Sequence, residues 1–469
     1  MKNHYIMLTG STGLLGQYLV RDLMRDGHRL AVLVRGSKGK SAAERVERMM
    51  QFWEREAGTD LPRPICLPGD ITQPMLGLND HWRRWVTRNV ATMFHCAASL
   101  TFHEHNGEPR RTNVEGTRNV VDFCEAHQID DMQYVSTAYV CGRRHDLVRE
   151  DELDVGQQFR NDYEKSKFLA EQLVREHSGF RRLTIYRPVV ITGDSVTGYT
   201  ATYHGTYLYM KLASVLASNM EPDADGNRHI PIRWGATGEE RRNITPVDWN
   251  SRIICQLYQN PDAHGRTYHL APAQPMSMRS VIDYAARFYG ITGIEFHGYG
   301  DNPSFKLNEL ERWIWSNVKI YGSYDFMDPS FDMSNLNRYA PEPPSPVIDY
   351  AMAERFMRYA DQDRWGKRKP PPLERPPIEA ASYLREIQEA APSWDSSSTI
   401  TTLGLEVVGP GGGPFQLHLR NDHLADFDLG LPATGEADSI VTIDSRGLAA
   451  VRARHGTSPT ALQELFQTA

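Results

Sequence analysis

The stretch TGSTGLLG, residues 9–16, decides how the first half of this chain reads. It follows an apolar run, YIML at 5–8, and opens a segment in which Leu15, Leu19 and Leu23 recur at spacings of four. That pattern is a short strand running into a helix over residues 14–25. Gly10, Gly13 and Gly16 fall in the connection. Glycine lets a backbone turn sharply and approach a ligand closely, and inside a helix it otherwise only weakens the element. The helix N-terminus adds free N–H groups and the positive end of the helix dipole. Three glycines at this spacing, between strand and helix, predict a turn that wraps a pyrophosphate.

Further buried-strand patterns follow outward from that turn: RLAVLVR (29–35), ATMFHCAA (91–98), MQYVST (132–137) and LTIYRPVVI (183–191). Helical stretches such as TNVEGTRNVVDFCEAH (112–127) separate them. Continuously apolar strands alternating with helices predict an α/β fold, a Rossmann-type doubly wound parallel sheet with helices on both faces. In such a sheet an acidic residue at the end of the second strand would bind the ribose of NAD. Arg35 stands there instead, with Lys38, Lys40 and Arg45 after it. A cationic site suits a 2′-phosphate, so the expected cofactor is NADPH. Lys38 and Lys40 also fit a solvated basic loop.

The rest of the composition sets limits. The chain has 469 residues, 40% hydrophobic and 24% charged, with a net charge of −7 and no basic stripe, which speaks against a nucleic-acid partner. Cys66, Cys96, Cys124, Cys141 and Cys255 are scattered and form no CxxC pair, so neither a disulfide framework nor a zinc site is expected, and a reducing cytoplasm fits. The apolar run at the N-terminus is too short for a signal peptide, and no stretch approaches the length of a membrane-spanning helix. His103 and His105, in TFHEH, read as loop residues, with no further ligand spacing to support a metal.

NDYEKSKFLAE (161–171) places Tyr163 and Lys167 one helical turn apart. Alone it is a common solvated helix face. In order along the chain, however, stand TGSTGLLG, GDI (69–71), HCAA (95–98), NVEGT (113–117), STAYVCG (136–142), the YxxxK pair and RPVVITGDSVTG (187–198). In this combination the first 270 or so residues resemble the extended short-chain dehydrogenase/reductases. PGDITQPMLGL (68–78), FHCAASLTF (94–102), GDSVTG (193–198) and NITPVDW (243–249) resemble the thioester-reductase and fatty acyl-CoA reductase branch.

The resemblance implies roles at the matching positions. Gly10, Ser11, Thr12, Gly13, Leu14, Leu15 and Gly16 would wrap the pyrophosphate, and Arg35 and Arg45 would hold the 2′-phosphate. Asp70 and Ile71 would flank the adenine. Cys96, Ala97 and Ala98 would line the cofactor beside the ribose, and Pro188, Val189 and Val190 would pack near the nicotinamide. Thr137, Tyr163 and Lys167 would form the catalytic set, with Tyr163 the proton donor, Lys167 lowering its pKa and holding the nicotinamide ribose, and Thr137 orienting the carbonyl. The implied reaction is NADPH-dependent reduction of an acyl thioester or carbonyl on a carrier-bound or CoA-bound chain, with an acyl carrier protein as partner. An epimerase, a dehydratase, an alcohol dehydrogenase or a non-catalytic dinucleotide-binding scaffold stay open, as does a homodimer.

Within the Rossmann half (1–270), residues 195–245 are expected to be an insertion that begins a substrate lobe, which continues through 271–380. TGYTATYHGTYLYMKLAS (197–214) fits either an acyl channel or a helix in that lobe's core. Trp313, Trp315, Tyr321, Tyr324, Phe326 and Phe331 fit core aromatics or the wall of a channel. PEPPSP (341–346) and KPPPLERPP (369–377) read as a stiff strap. Residues 396–469 alternate like sheet strands and then turn helical. This small α+β module resembles the sterol-carrier-protein type, and a docking or dimerisation module fits it equally.

Overall fold

The computed structural model describes residues 5–467 except Lys38, Glu104, Asp301, Asn302, Ser304, 319–326, 392–399, 434–436 and Asp438. Of the expectations above, those on Lys38, Tyr321, Tyr324 and Phe326 lie outside the described residues.

Seven strands form one parallel sheet: β1 (Tyr5–Thr9), β2 (Arg29–Val34), β3 (Ile65–Pro68), β4 (Val90–His95), β5 (Asp131–Val135), β6 (Arg182–Pro188) and β7 (Thr267–Leu270), in the order β7-β6-β5-β4-β1-β2-β3. Their side chains are almost wholly buried, as strands covered on both faces require: Met7, Leu8, Ala31, Val32, Met93 and Phe94 are all fully inaccessible. Strand order reverses between β1 and β4, so a crevice opens above their carboxyl ends, where ligands bind in doubly wound sheets.

Helix α1 (Leu14–Arg25) has the predicted limits, buries Leu15, Leu19 and Leu23, and packs against the sheet. Helix α2 is Ala42–Ala57, α3 is Gly116–Ala126 and α4, which carries the YxxxK pair, is Asp162–Glu176. The expected helix over 112–127 begins with a widened π turn at Arg111–Glu115, and this turn carries Asn113.

The substrate lobe has its own core. It draws on helix α5 (Tyr207–Ser218), helix α6 (Met278–Tyr289), helix α7 (Tyr350–Gln362) and a parallel strand pair, Arg228–Trp234 with Ile291–Phe296. Tyr207, Met210, Ile230, Met278 and Phe356 are buried there together. The lobe is therefore one unit assembled from both sides of β7 in the sequence. Phe331 packs edge-on against Tyr139 at 6.3 Å, whereas Trp313 is exposed.

The C-terminal module is a four-stranded sheet built from β8 (Ile400–Val408), β9 (Gly413–Arg420), β10 (His423–Leu429) and β11 (Ser439–Asp444), in the order β10-β9-β8-β11, with only β8 and β11 parallel. Leu405, Val407 and Leu417 are fully buried against the helices Ser445–His455 and Pro459–Gln467. A third helix, Ala380–Glu389, places Tyr383 and Leu384 in the same core, so the module's core takes in residues ahead of 396. The module docks at the amino ends of the sheet strands. Leu431 N–H donates to the Tyr5 hydroxyl at 2.8 Å, Trp85 Nε1 donates to the Leu429 carbonyl at 2.7 Å, and Arg29 donates to the Pro432 carbonyl at 2.7 Å. It thus sits at the opposite end of the sheet from the crevice. Among the described residues no helix is long and apolar enough to cross a membrane.

Candidate active site

The turn after β1 has the shape that a pyrophosphate requires. Gly10 has φ +75°, and a Cβ there would lie 2.6 Å from the Ala97 nitrogen, so the β1 and β4 loops could not approach as they do with any other residue. A Cβ at Gly16 would sit 2.0 Å from the Gly10 carbonyl oxygen. Gly13 is the N-cap of α1 and offers no side chain to satisfy the first-turn N–H groups, and that turn carries no carboxylate. Ser11 Oγ is buried and takes no hydrogen bond from the described residues. These are unspent donors around an open space, and a pyrophosphate fits them.

At the end of β2, Arg45 donates to Thr12 Oγ1 at 2.7 Å and to the Arg35 carbonyl at 2.7 Å. Arg35 reaches Asp70 Oδ2 only at 3.5 Å and is largely exposed. Burial, and then the neighbouring Arg35 charge, makes Arg45 hold its proton less tightly than usual. Asp70 is capped by Thr72 through both N–H and Oγ1, at 2.9 Å each. Ile71 lies against Gly116, where an added Cβ would come within 2.9 Å of it.

The crevice continues from this turn into the substrate lobe as one cleft of about 480 Å³. Gly10, Thr12, Gly13, Leu14, Leu15 and Gly16 line one end. Cys96, Ala98, Thr137, Tyr163, Lys167, Pro188, Val189 and Val190 line the middle. Ala97, Ser11, Arg35, Arg45, Asp70 and Ile71 lie outside its wall: Ala97 backs Gly10, and the arginines and Asp70 form the rim at the β2 end. The stretch 197–214 divides between the loop ahead of α5 and α5 itself. Ala201, Thr202, His204 and Gly205 face the cleft, while Tyr207 and Met210 enter the lobe core. His103 and His105 are exposed on a loop. Among the described residues no group of three or more His, Cys, Asp or Glu could hold a metal.

Thr137, Tyr163 and Lys167 all line the cleft, and the lysine is anchored to β5. Lys167 Nζ donates to the Tyr134 hydroxyl at 3.0 Å and to the Val135 carbonyl at 2.9 Å. Burial pulls its pKa down to about 8. Burial also pushes Tyr163 up to about 12, with a hydrogen bond to Thr137 acting the other way. Tyr163 is therefore held protonated, not driven toward tyrosinate. Desolvation outweighs the hydrogen bond to Thr137.

Two buried networks, unreadable from spacing, hold this set. Ser136, next to Thr137, donates to Glu171 at 2.6 Å; Glu171 lies one turn after Lys167 and is bound by Arg187 at 2.6 Å, both side chains being fully inaccessible. Arg187 immediately precedes Pro188, so one ion pair joins the catalytic loop, α4 and the end of β6. In the second network, Asn113 Nδ2 donates to Ser166 Oγ at 2.9 Å and to the Ser99 carbonyl at 3.0 Å, and Ser166 Oγ donates to the Tyr163 carbonyl at 2.8 Å. This ties the β4 loop to the turn of helix that carries Tyr163.

Fold and site together define a dinucleotide-binding protein of the extended short-chain dehydrogenase/reductase class. A family model described as "Male sterility protein", an NAD-binding family, matches residues 8–254, more than half of the chain, and the chain belongs to that family. The chain is 26% identical over 285 residues to the nonribosomal peptide synthetase asaC of Aspergillus flavus, covering 58% of this chain and 26% of that protein. It is 32% identical over 150 residues to fatty acyl-CoA reductase 1 of Mus musculus, 30% of this chain and 29% of that one. It thus spans less than a third of either relative. The crystal structure of the terminal R domain from the myxalamid PKS-NRPS biosynthetic pathway superposes with a TM-score of 0.62 at 24% identity, over 79% of this chain and 93% of that one, which shows the shared fold.

Proposed function

We propose that this protein is an NADPH-dependent reductase of acyl thioesters or carbonyl groups on carrier-bound or CoA-bound chains. The observation that carries the reading is the placement of Thr137, Tyr163 and Lys167 in the same cleft as the glycine turn, beyond its far end and before an apolar extension into the substrate lobe. The names of the relatives, a peptide synthetase and a fatty acyl-CoA reductase, support a thioester as substrate.

The nicotinamide, when bound, supplies the hydride. The chain's own residues do the rest. The glycine turn and the first turn of α1 hold the pyrophosphate, and Arg35 and Arg45 form a cationic rim suited to a 2′-phosphate. Thr137 orients the substrate carbonyl, whose oxygen gains negative charge as hydride reaches the carbon. Tyr163, whose pKa burial pushes up to about 12, gives that oxygen its proton. Lys167 holds the ribose and offsets the developing charge. On a thioester the product is a hemithioacetal, which collapses to an aldehyde and a free thiol. The C-terminal module, whose inner face is filled by its own helices and which lies at the far end of the sheet, acts in docking rather than in the reaction.

The test is incubation with NADPH and separate acyl thioesters, ketones and nucleotide sugars, with products identified by mass. Stoichiometric NADPH oxidation with release of thiol and aldehyde or alcohol is expected. Conversion of a nucleotide sugar without net NADPH use would replace this reading with epimerisation.

A further inference from the structure

Beyond Thr137 the cleft is walled mainly by aliphatic and aromatic side chains, among them Val189, Ile244, Met278 and Val281. His204, Thr206, Arg242 and Asn243 interrupt that wall, and so does one carboxylate, which the Arg242 and Arg160 charges favour. Asp328 lines the cleft, yet its residue is only 4% exposed. It lies outside residues 8–254, the part of the chain that the family model covers. Its backbone is stitched to the cleft floor: Asp328 N–H donates to the Arg241 carbonyl at 3.1 Å, and Asn243 Nδ2 donates to the Pro329 carbonyl at 3.0 Å.

The carboxylate is unevenly used. Asn243 N–H donates to Oδ2 at 2.8 Å, and the Tyr139 hydroxyl donates to the same oxygen at 3.2 Å. Oδ1 receives no hydrogen bond from the described residues, and it is not among their sealed, partnerless atoms. The remaining surface of Asp328 opens on the cleft. A carboxylate oxygen that has lost bulk water and has no donor is costly unless something supplies one. Tyr139 N–H donates to Thr137 Oγ1 at 3.3 Å, so the tyrosine whose hydroxyl holds Asp328 stands directly on the carbonyl-orienting residue.

We infer that Asp328 is a specificity-determining residue which accepts a hydrogen bond from an N–H or O–H group that the substrate carries beside its reacting carbonyl. The substrate is then a chain with a hydroxyl, amine or amide near the thioester, not a plain saturated acyl group. The donor lies either on the acyl chain or on the thiol arm. This inference rests on the proposed reductase activity.

The test uses four substrates: octanoyl and 3-hydroxyoctanoyl thioesters, each on N-acetylcysteamine, which has an amide N–H, and on butanethiol, which has none. For the full-length enzyme with NADPH, kcat/KM should favour the donor-bearing partner of one pair by about tenfold or more, the scale of a hydrogen bond to a charged group. The pair that responds identifies where the donor lies. In Asp328→Leu that ratio should fall close to one. In Asp328→Asn, which keeps an oxygen for Asn243 and Tyr139 and turns an NH₂ toward the cleft, it should fall below one. A wild-type ratio near one for both pairs, or an equal loss on all four substrates in the variants, would overturn the inference. Should no thioester be reduced, the proposed activity fails separately. Calorimetric binding of the four compounds to the enzyme with NADP⁺ then decides: donor-dependent affinity lost in Asp328→Leu upholds the role of Asp328, and equal affinities refute it.

Discussion

Lys167 Nζ donates to the Tyr134 hydroxyl at 3.0 Å, which pins the ammonium of helix α4 to strand β5 inside the sheet. The same burial that fixes its position weakens its hold on the proton. Its pKa falls from 10.5 to about 8, so the group is charged below that pH and neutral above it. Tyr163, at about 12, does not titrate in the same range. If the ammonium is needed, kcat/KM should be flat toward lower pH and fall as pH rises through about 8. A falling limb displaced above pH 10 would mean that Lys167 is not the group that matters.

The Glu171–Arg187 pair should behave as a brace. Glu171→Gln leaves the Arg187 charge buried without a carboxylate, which costs about 3–5 kcal/mol, whereas Arg187→Met leaves Glu171 its ion pair with Arg175 at 2.9 Å. Glu171→Gln should therefore lower Tm sharply and Arg187→Met by less, while Ser136→Ala, which keeps the ion pair, should lower it least and reduce kcat more than it changes KM. Chemical denaturation and steady-state kinetics read both. The pH dependence follows from the sign of the shift. Arg187 holds Glu171 at about 2, against 4.5 for an ordinary glutamate. This stability is complete above about 4.5 and is lost as pH falls through 2. Equal unfolding free energies at pH 7 and pH 3 would contradict it.

The glycine turn gives a graded prediction. Gly13→Ala meets only the Gly10 carbonyl, at 3.3 Å, so the fold should survive while the methyl group intrudes where the pyrophosphate lies. NADPH affinity should drop by about tenfold or more, a loss of roughly one charge-assisted hydrogen bond, with Tm nearly unchanged. Gly16→Ala, with its Cβ 2.0 Å from the Gly10 oxygen, should damage folding itself. Fluorescence titration with NADPH and a thermal melt separate the two effects.

The proposed preference for NADPH rests on Arg35 and Arg45. Arg35→Ala and Arg45→Ala should each weaken NADPH far more than NADH, measured as the ratio of their dissociation constants. Equal weakening of both would reduce these side chains to a loop brace.

Much of this was legible in the sequence because it is local. The strand, turn and helix at 5–25 are set by short-range periodicity and by three glycines, and helix α1 has the limits that the leucine spacing predicts. The Tyr163–Lys167 spacing also survives unchanged in α4. What could not be read depends on pairs far apart in the chain. Lys167 is held by Tyr134, 33 residues away, and Tyr139 meets Asp328 across 189. The rise of the Tyr163 pKa was missed because sequence shows the nearby lysine but not the depth of burial. The helix Ala380–Glu389 falls between the proline runs and the alternating pattern after 396, and the C-terminal sheet that its apolar face meets is distant in the sequence.

The proposed reaction turns on Tyr163 giving a proton to a carbonyl reduced in the cleft that takes the dinucleotide. Turnover and NADPH affinity of Tyr163→Phe, measured side by side, probe that step. Turnover should fall by about a hundredfold or more, the scale of a positioned general acid, with the NADPH dissociation constant within about twofold of wild type. Unchanged turnover would overturn the assignment of Tyr163 as proton donor.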